Sequence, residues 1–487
     1  MKSLEQILIN VTLSRVSGSL ELELNGIAMD SREVKPGFVF VAVAGTQTDG
    51  HDYIEKAIEN GAVAIIFEAS RVETDQRVTW IKVSDSSEAL GIMAANWFGN
   101  PSRQLTLVAV TGTNGKTTIA TLLFQLFQHL GYRVGLLSTV ENKIGEEVIP
   151  STHTTPDAIS LNELLAKMLA AGCSHVFMEA SSHAIHQKRI AGLEFDGAVF
   201  SNISHDHLDY HGSFDNYISA KKLLFDNLSP QGFSLVNVDD KRGKVMVQNT
   251  ASKIQTYSLQ TGANFRGKVL SNTLEGLHME INGKEVWFRL VGDFNAYNLV
   301  AVFGVAMLLG ENEEEVLLAL SALNPVRGRF ERILLKNGAV SIIDYAHTPD
   351  ALKNVLETIK SMQIPGENLI TVVGCGGNRD KAKRPVMAEV ASRLSTQVFL
   401  TSDNPRNEEP KTIIQEMMDG VPLSQRRRVA VIEDREGAIR EAIAMAKTND
   451  VVLVAGKGHE TYQEISGVKY PFDDREKVLE TQNPIVN

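Results

Sequence analysis

Lys116, Thr117 and Thr118 are the residues whose type and spacing point most directly to chemistry. They close the loop Thr111-Gly112-Thr113-Asn114-Gly115-Lys116-Thr117-Thr118. An apolar run, Leu105 to Val110, precedes it and reads as a strand; Ile119 to Leu130 follows with a helical pattern. Strand, glycine loop, Lys-Thr and helix is the order that cradles a nucleoside triphosphate. Glycines let backbone N–H groups close on phosphate oxygens, and the helix N-terminus favours the anion. Lys116 brings a mobile cation to the outer phosphates, and a following Thr hydroxyl reaches Mg²⁺. The full pattern asks for another glycine at position 110, where this chain has Val110. The loop is therefore a shortened one, unlike that of a generic GTPase. The plain alternative is a glycine turn between strand and helix.

Other clusters fall at strand ends. Glu179 closes the run HVFME and is followed by Ala180-Ser181-Ser182-His183. An acid there is placed to hold Mg²⁺; Ser181 and Ser182 are equally good helix N-caps. Ser204-His205-Asp206-His207-Leu208-Asp209 has two His and two Asp but neither a closed zinc spacing nor a cysteine. His207 is the candidate magnesium ligand in it. Asp215 to Leu228 reads as an amphipathic helix carrying Lys221 and Lys222, a pair that by itself suits a solvated face. Asn295 and Asn298 share one face of a helix that starts near Gly292. They can bond a base or phosphate, or Asn295 can serve as a cap. Asp403-Asn404-Pro405-Arg406 follows the run QVFLTS, with Arg379 and the Arg384 helix upstream. Pro405 stiffens that turn and Arg406 offers a planar fork suited to a carboxylate; a salt-bridged surface turn is the plain reading.

These clusters need a framework, and the pattern supplies three segments. The first, 1–100, carries strand-like runs at Gly37 to Ala44 and Ala62 to Phe67. Pro101-Ser102 marks a boundary. The second, 101–326, alternates strands at His175 to Glu179 and Ala198 to Ile203 with helices, as a parallel α/β sheet does. Asn282-Gly283, between two alternating runs in His278 to Leu290, predicts an antiparallel hairpin on that parallel core. The third, 327–487, has strands at Val340 to Tyr345, Leu369 to Val373, Gln397 to Thr401, Arg428 to Ile432 and Val451 to Ala455. It reads as a second doubly wound, Rossmann-like domain whose ligands sit beyond the strand carboxyl ends. Asp344, Gly374 to Arg379, Asp403 to Arg406 and Gly456 to Glu460 all fall there.

Composition narrows the class. The 487 residues are 43% hydrophobic and 22% charged, as in soluble globular cores. A net charge of −11 disfavours a nucleic-acid groove as the main function. Cys173 and Cys375, the two cysteines, suggest no disulfide framework and fit a reducing compartment. The N-terminus lacks the apolar core of a signal peptide, and the apolar stretch Leu299 to Leu309 is too short to span a bilayer. The expectation is a cytoplasmic protein with no membrane insertion.

Taken in order, GTNGKTT, EASSH, SHDHLDYHG, YISAKKLLF, GDFNAYN, GRFE, DYAHTPDAL, GCGGNRDKAKRP, DNPR and GKGHE resemble the Mur ligase family of cell-wall peptide synthetases along essentially the whole chain. The shortened loop is that family's own. The resemblance implies three α/β domains: an N-terminal UDP-sugar-binding domain, a central P-loop ATPase domain and a C-terminal amino-acid-binding domain. It implies ATP as co-substrate, held by Gly112, Thr113, Asn114, Gly115, Lys116, Thr117 and Thr118 with Asn295, Asn298, Arg329 and Asp344. Mg²⁺ is implied at Thr117, Glu179, His207 and Lys221, the last as a carbamate that turns a cation into a carboxylate-like ligand. Met29, Ser31, Thr46, Gln47, Thr48, Thr154, Thr155, Ser181, Gln187 and Arg189 are implied for a UDP-N-acetylmuramoyl-dipeptide. Arg379, Asp403, Asn404, Pro405, Arg406, Gly456 and Glu460 are implied for the incoming amino acid, with Glu460 as partner for an ammonium.

Within the family the DNPR turn resembles the version that accepts meso-diaminopimelate, which is lysine with an extra carboxylate at its far end. Arg406 pairs that carboxylate, whereas with lysine its charge would be left without an anion, costing several kcal/mol in order of magnitude. The expected activity is ATP-driven amide ligation of meso-diaminopimelate to UDP-N-acetylmuramoyl-L-alanyl-D-glutamate through an acyl phosphate, by a monomer. The alternatives are a lysine-adding relative, a folylpolyglutamate synthetase-like ligase and, from a different class, a P-loop regulatory or binding module.

Overall fold

A computed structural model of the chain describes residues 2–45, 48–69, 75–151 and 154–482. Three large sheets, each drawn from its own stretch of sequence, organise it. The largest has eleven strands, and the strand Thr106–Thr111 lies inside it, hydrogen-bonded in parallel to His175–Glu179 on one side and Gly197–Phe200 on the other. The register sets Glu179 opposite Val110 and Phe200 opposite Thr111, so the three strands end at one level. That level is where a parallel sheet presents its loops to a ligand.

The helix Lys116–His129 covers one face of this sheet, burying Ile119, Leu122, Leu123, Leu126 and Phe127 against Leu299 and Phe303 of the helix Asp293–Leu308. Side chains of this size each stabilise the fold by about 1.5–3 kcal/mol when fully buried. Leu161, Leu165, Met178 and Phe225 fill the opposite face. The hairpin expected at Asn282-Gly283 is present: Gly276–Ile281 pairs antiparallel with Lys284–Phe288, and both turn residues take positive φ. That is the twist a two-residue turn needs.

The first sheet has five strands, in the order Leu13–Ser17, Thr79–Val83, Ala62–Phe67, Phe38–Val41 and Gly26–Ala28; the first pair is antiparallel and the rest parallel. It meets the central segment where Lys188 forms ion pairs with Asp85 at 2.8 Å and Glu88 at 2.5 Å. The third sheet runs Glu331–Leu334, Val340–Asp344, Val451–Ala455, Leu369–Val373, Gln397–Leu400 and Val429–Val431, parallel except for its first strand. The expected strands are all present, but several are shorter than their apolar runs. Phe38–Val41 stands for Gly37 to Ala44, and Val429–Val431 for Arg428 to Ile432. Hydrogen-bonded pairing ends before the apolar residues do.

Two further antiparallel hairpins escaped the sequence reading, Glu141–Ile144 with Glu147–Pro150 and Tyr462–Ile465 with Val468–Pro471. Among the described residues no helix is long and apolar enough to cross a membrane. Cys173 and Cys375 are buried free thiols.

Candidate active site

The glycine loop is shaped by its neighbours. A side chain on Gly112, at φ +151°, would stand 1.9 Å from the Ser201 hydroxyl, and Gly115, at φ +89°, starts the helix in a left-handed conformation. Ser201 Oγ donates to the Asn114 carbonyl at 2.5 Å, and the Asn114 N–H donates to Asn202 Oδ1 at 3.0 Å. Asn298 Oδ1 lies where a Gly115 side chain would be, 2.7 Å from that Cβ position, and its amide donates to Asn295 Oδ1 at 3.0 Å. Asn295 does not cap the helix; its amide donates to the Val291 carbonyl at 2.8 Å. Arg329 reaches the loop from the start of the third segment: Nη2 donates to Thr117 Oγ1 at 3.0 Å while the guanidinium stacks over Tyr345. Asp344 accepts from the Phe330 and Ala346 N–H groups, and burial pushes its carboxyl up to about 6 against the pull of Arg329. The expected nucleotide residues therefore converge on the loop and on the joint beside it.

Lys116 folds back on the loop, Nζ donating to the carbonyls of Gly112 at 2.9 Å and Thr113 at 2.8 Å. Lys221, fully buried on the helix Phe214–Asp226, also donates to the Gly112 carbonyl, at 2.8 Å. Burial, and then the charge of Lys116, hold the Lys221 amine well below its ordinary range. Lys222 turns away to an ion pair with Asp226 at 2.5 Å, which settles which lysine faces the loop.

Glu179 is completely buried; Oε1 accepts from the Thr139 N–H at 2.7 Å, and Oε2 has no hydrogen-bond partner. An unpartnered carboxylate oxygen in a buried site is the group a divalent cation satisfies. Ser181, not Ser182, supplies the helix cap beside it, accepting from the Ala184 N–H at 3.2 Å. His207 stands more exposed at φ +54° with its ring 4.8 Å from that of His183, and His205 stacks on Phe214. Among the described residues no three His, Cys, Asp or Glu side chains form a metal cluster. Mg²⁺ held here would draw on hydroxyl and phosphate oxygens as well as on Glu179. Glu179 Oε2 and the Thr117 hydroxyl are the hard oxygen donors that such an ion takes.

Next to Glu179 lies the expected UDP-substrate cluster. Thr155 Oγ1 donates to the Glu179 carbonyl at 2.8 Å and accepts from the Ser181 N–H at 3.2 Å. Arg189 donates to the Thr155 carbonyl at 3.0 Å and grips Gln187 Oε1 with Nε and Nη2. Thr154 accepts from the Thr139 hydroxyl at 3.1 Å. In the first segment Ser31 is buried, and Met29 and Thr48 are exposed. Thr46 and Gln47 lie outside the described residues.

The third segment assembles a second pocket. Asp403 Oδ2 occupies the space a Gly456 side chain would need, 2.7 Å from that Cβ position. Asn404 donates from Nδ2 to Glu460 Oε2 at 2.7 Å, and its Oδ1 accepts from Lys457 Nζ at 3.1 Å. The Pro405 carbonyl presses on Gly377, and Arg406 Nη1 donates to the Gly377 carbonyl at 2.8 Å. Arg379 is exposed, its stem beside Gly376 where Arg406 also lies. Glu460 does face an ammonium, but it is that of Lys457, at 2.9 Å. Burial raises both carboxyl groups of this floor; at Asp403, Lys457 and Arg435 more than reverse it, whereas Glu460 stays raised. Arg384 is an anchor: fully buried, it grips Glu408 with both Nη atoms and fixes the end of the turn.

Three family models match the chain: "Mur ligase family, catalytic domain" over residues 23–98, "Mur ligase middle domain" over 110–306 and "Mur ligase, glutamate ligase domain" over 328–458. A UDP-N-acetylmuramoyl-L-alanyl-D-glutamate–2,6-diaminopimelate ligase from Cytophaga hutchinsonii is 56% identical over 474 residues, 97% of each chain. The chain belongs to the Mur ligase family. A Bacteroides fragilis relative of the same name is 52% identical to this Mur ligase over 477 residues, 98% of each chain. A solved structure of a ligase so named superposes with a TM-score of 0.70 at 33% identity, covering 99% of both chains.

Two residues of this Mur ligase's second pocket were not singled out from the sequence. Lys457 is fully buried beneath the DNPR turn, and Glu464 lies 3.3 Å from Arg406 Nε. Lys457 sits between two glycines and reads as loop; only its position after a five-residue apolar strand hinted that it turns inward. Glu464 lay in a hairpin whose Ser466-Gly467 turn was the available signal.

Proposed function

We propose that this Mur ligase adds meso-diaminopimelate to UDP-N-acetylmuramoyl-L-alanyl-D-glutamate at the expense of ATP, as a cytoplasmic monomer. The observation that carries the reading is near-full-length identity of 52–56% with ligases named for that substrate pair. Residues 1–100 and the Thr155–Arg189 cluster take the UDP-dipeptide, 101–326 takes ATP, and 327–487 takes the amino acid.

In this reading Lys116 leaves the Gly112 and Thr113 carbonyls for the γ-phosphate, and the loop N–H groups hold the rest of the triphosphate. The D-glutamyl γ-carboxylate attacks the γ-phosphorus, the bond to ADP breaks, and an acyl phosphate forms. The amine of the amino acid, having lost its proton, attacks the acyl carbon; a tetrahedral adduct collapses, phosphate leaves and the amide remains. No side chain of the protein becomes covalently bonded; the chain positions the reactants and spreads charge. Glu179, Thr117, His207 and a carbamylated Lys221 would hold Mg²⁺, which would supply charge neutralisation on the phosphate oxygens. A neutral, buried Lys221 amine is the form that reacts with carbon dioxide, and its environment favours that form.

Arg406, whose Nη2 makes no hydrogen bond among the described residues, favours an amino acid with a distal carboxylate over lysine. The test is phosphate release from purified protein given ATP, UDP-dipeptide and either amino acid. Release requiring both the dipeptide and meso-diaminopimelate supports the reading. Preference for lysine, or hydrolysis indifferent to both acceptors, overturns it.

A further inference from the structure

Arg406 is held from behind by an element outside the expected pocket. The hairpin Tyr462–Ile465 with Val468–Pro471 leaves the Gly456–Glu460 loop and lies along the DNPR turn. The Arg406 N–H donates to the Glu464 carbonyl at 3.0 Å, and the Ser466 N–H donates to the Arg406 carbonyl at 2.7 Å. The Glu464 N–H donates to Asn404 Oδ1 at 2.9 Å, and Gln463 Nε2 to the Asp403 carbonyl at 2.7 Å. This clamp holds Arg406 at φ +52°, a left-handed conformation that a bulky residue keeps only when its surroundings impose it.

The side chain is held as well. Nη1 donates to the Gly377 carbonyl, and Nε lies 3.3 Å from Glu464 Oε2, with both side chains mostly buried. Among the described residues Nη2 makes no hydrogen bond. Glu464 therefore engages one edge of the guanidinium and leaves part of the fork that meets a carboxylate in two parallel bonds.

We propose that Glu464 is a positioning residue for the far carboxylate of the incoming amino acid: it fixes the Nε edge of Arg406 and thereby aims the Nη edge at the substrate. The inference rests on the diaminopimelate reading above. An anion on the Nε edge also offsets part of the guanidinium charge while the pocket is empty, without occupying Nη2.

Steady-state phosphate release by the full-length enzyme, with ATP and UDP-dipeptide saturating and meso-diaminopimelate varied, tests it in Glu464→Ala and Glu464→Gln. The Ala variant is expected to raise KM for meso-diaminopimelate about five- to tenfold, the scale of a partly buried ion pair, with kcat and KM for ATP within about twofold. Gln keeps an acceptor oxygen at the same reach and is expected to return KM to within about threefold of the parent. An unchanged or lowered KM in the Ala variant, a parallel loss in kcat and KM for ATP, or a Gln variant no better than Ala each overturns the proposal. A parent enzyme that fails to use meso-diaminopimelate at all sinks the functional reading and this inference with it. A parent that uses it beside an unaffected Ala variant sinks only the inference.

Discussion

Lys116 and Lys221 donate to one and the same oxygen, the Gly112 carbonyl, at 2.9 and 2.8 Å. Two positive charges brought to one acceptor repel each other in a protein pocket far more than in water. Burial adds to that penalty and lowers both amines, that of Lys221 well below its ordinary range. Loss of the proton from either amine relieves that repulsion.

Removing the second nitrogen should cost catalysis. Lys221→Ala is expected to lower kcat by at least about a hundredfold, the scale of losing a metal-orienting group. Phosphate-release rates, with circular dichroism to confirm folding, check this. A folded variant within about threefold of the parent would remove Lys221 from the reaction.

Arg406→Ala should act on the amino acid and spare the nucleotide. Loss of a charge-assisted pair is expected to lower kcat/KM for meso-diaminopimelate by about a hundredfold or more, ~2.7 kcal/mol, with KM for ATP unchanged. Equal losses for both substrates would refute the assignment.

Gly377→Ala tests the packing that holds the DNPR turn. The added methyl would stand 1.9 Å from the Pro405 carbonyl oxygen, a backbone atom that cannot rotate aside. The turn must move, at an expected cost of about 1–3 kcal/mol in denaturant unfolding, and KM for the amino acid should rise. Parental stability together with parental KM would show that the turn yields freely.

Acid should weaken the joint between the second and third segments. Burial, and then nearby cations, hold His347 down to about 4 and His459 to about 3, against 6.5 for an ordinary histidine. Between those values and 6.5 the unfolded chain binds more protons, so stability rises with pH across that window. Asp344, raised to about 6, works the other way: its contribution is present below 3.8 and lost as pH rises through 6. Two histidines against one carboxyl give a net rise in melting temperature from about pH 4 to 6.5. His459→Gln should flatten it; an unaltered slope would exclude His459 as a source.

Much of this site was legible before the fold. Local patterns carried the loop at Gly112, the strand ending in Glu179 and the Asn282-Gly283 turn, because each depends on neighbours in sequence. Arg406 and Lys221 were found through motifs, yet what holds them was not. Lys457, Glu464 and the second donor on Gly112 depend on contacts between distant segments. Gly112 and Lys221 meet across 109 positions, a pairing that periodicity does not encode. Arg384 was placed only on a helix upstream of the DNPR turn, and the tertiary fold buries it against Glu408.

The residue before Arg329 has a mechanical consequence. Gly328 has no room for a side chain, because a Cβ there would stand 2.2 Å from the backbone nitrogen of His459, in the same loop as Glu460. Its neighbour, Arg329, touches Thr117. The glycine loop and the Gly456–Glu460 loop are therefore separated at this point by a single peptide unit pressed between them. Swinging one lobe away must withdraw an arginine from the other, so the two halves of the reaction are yoked by geometry, with no relay of side chains required.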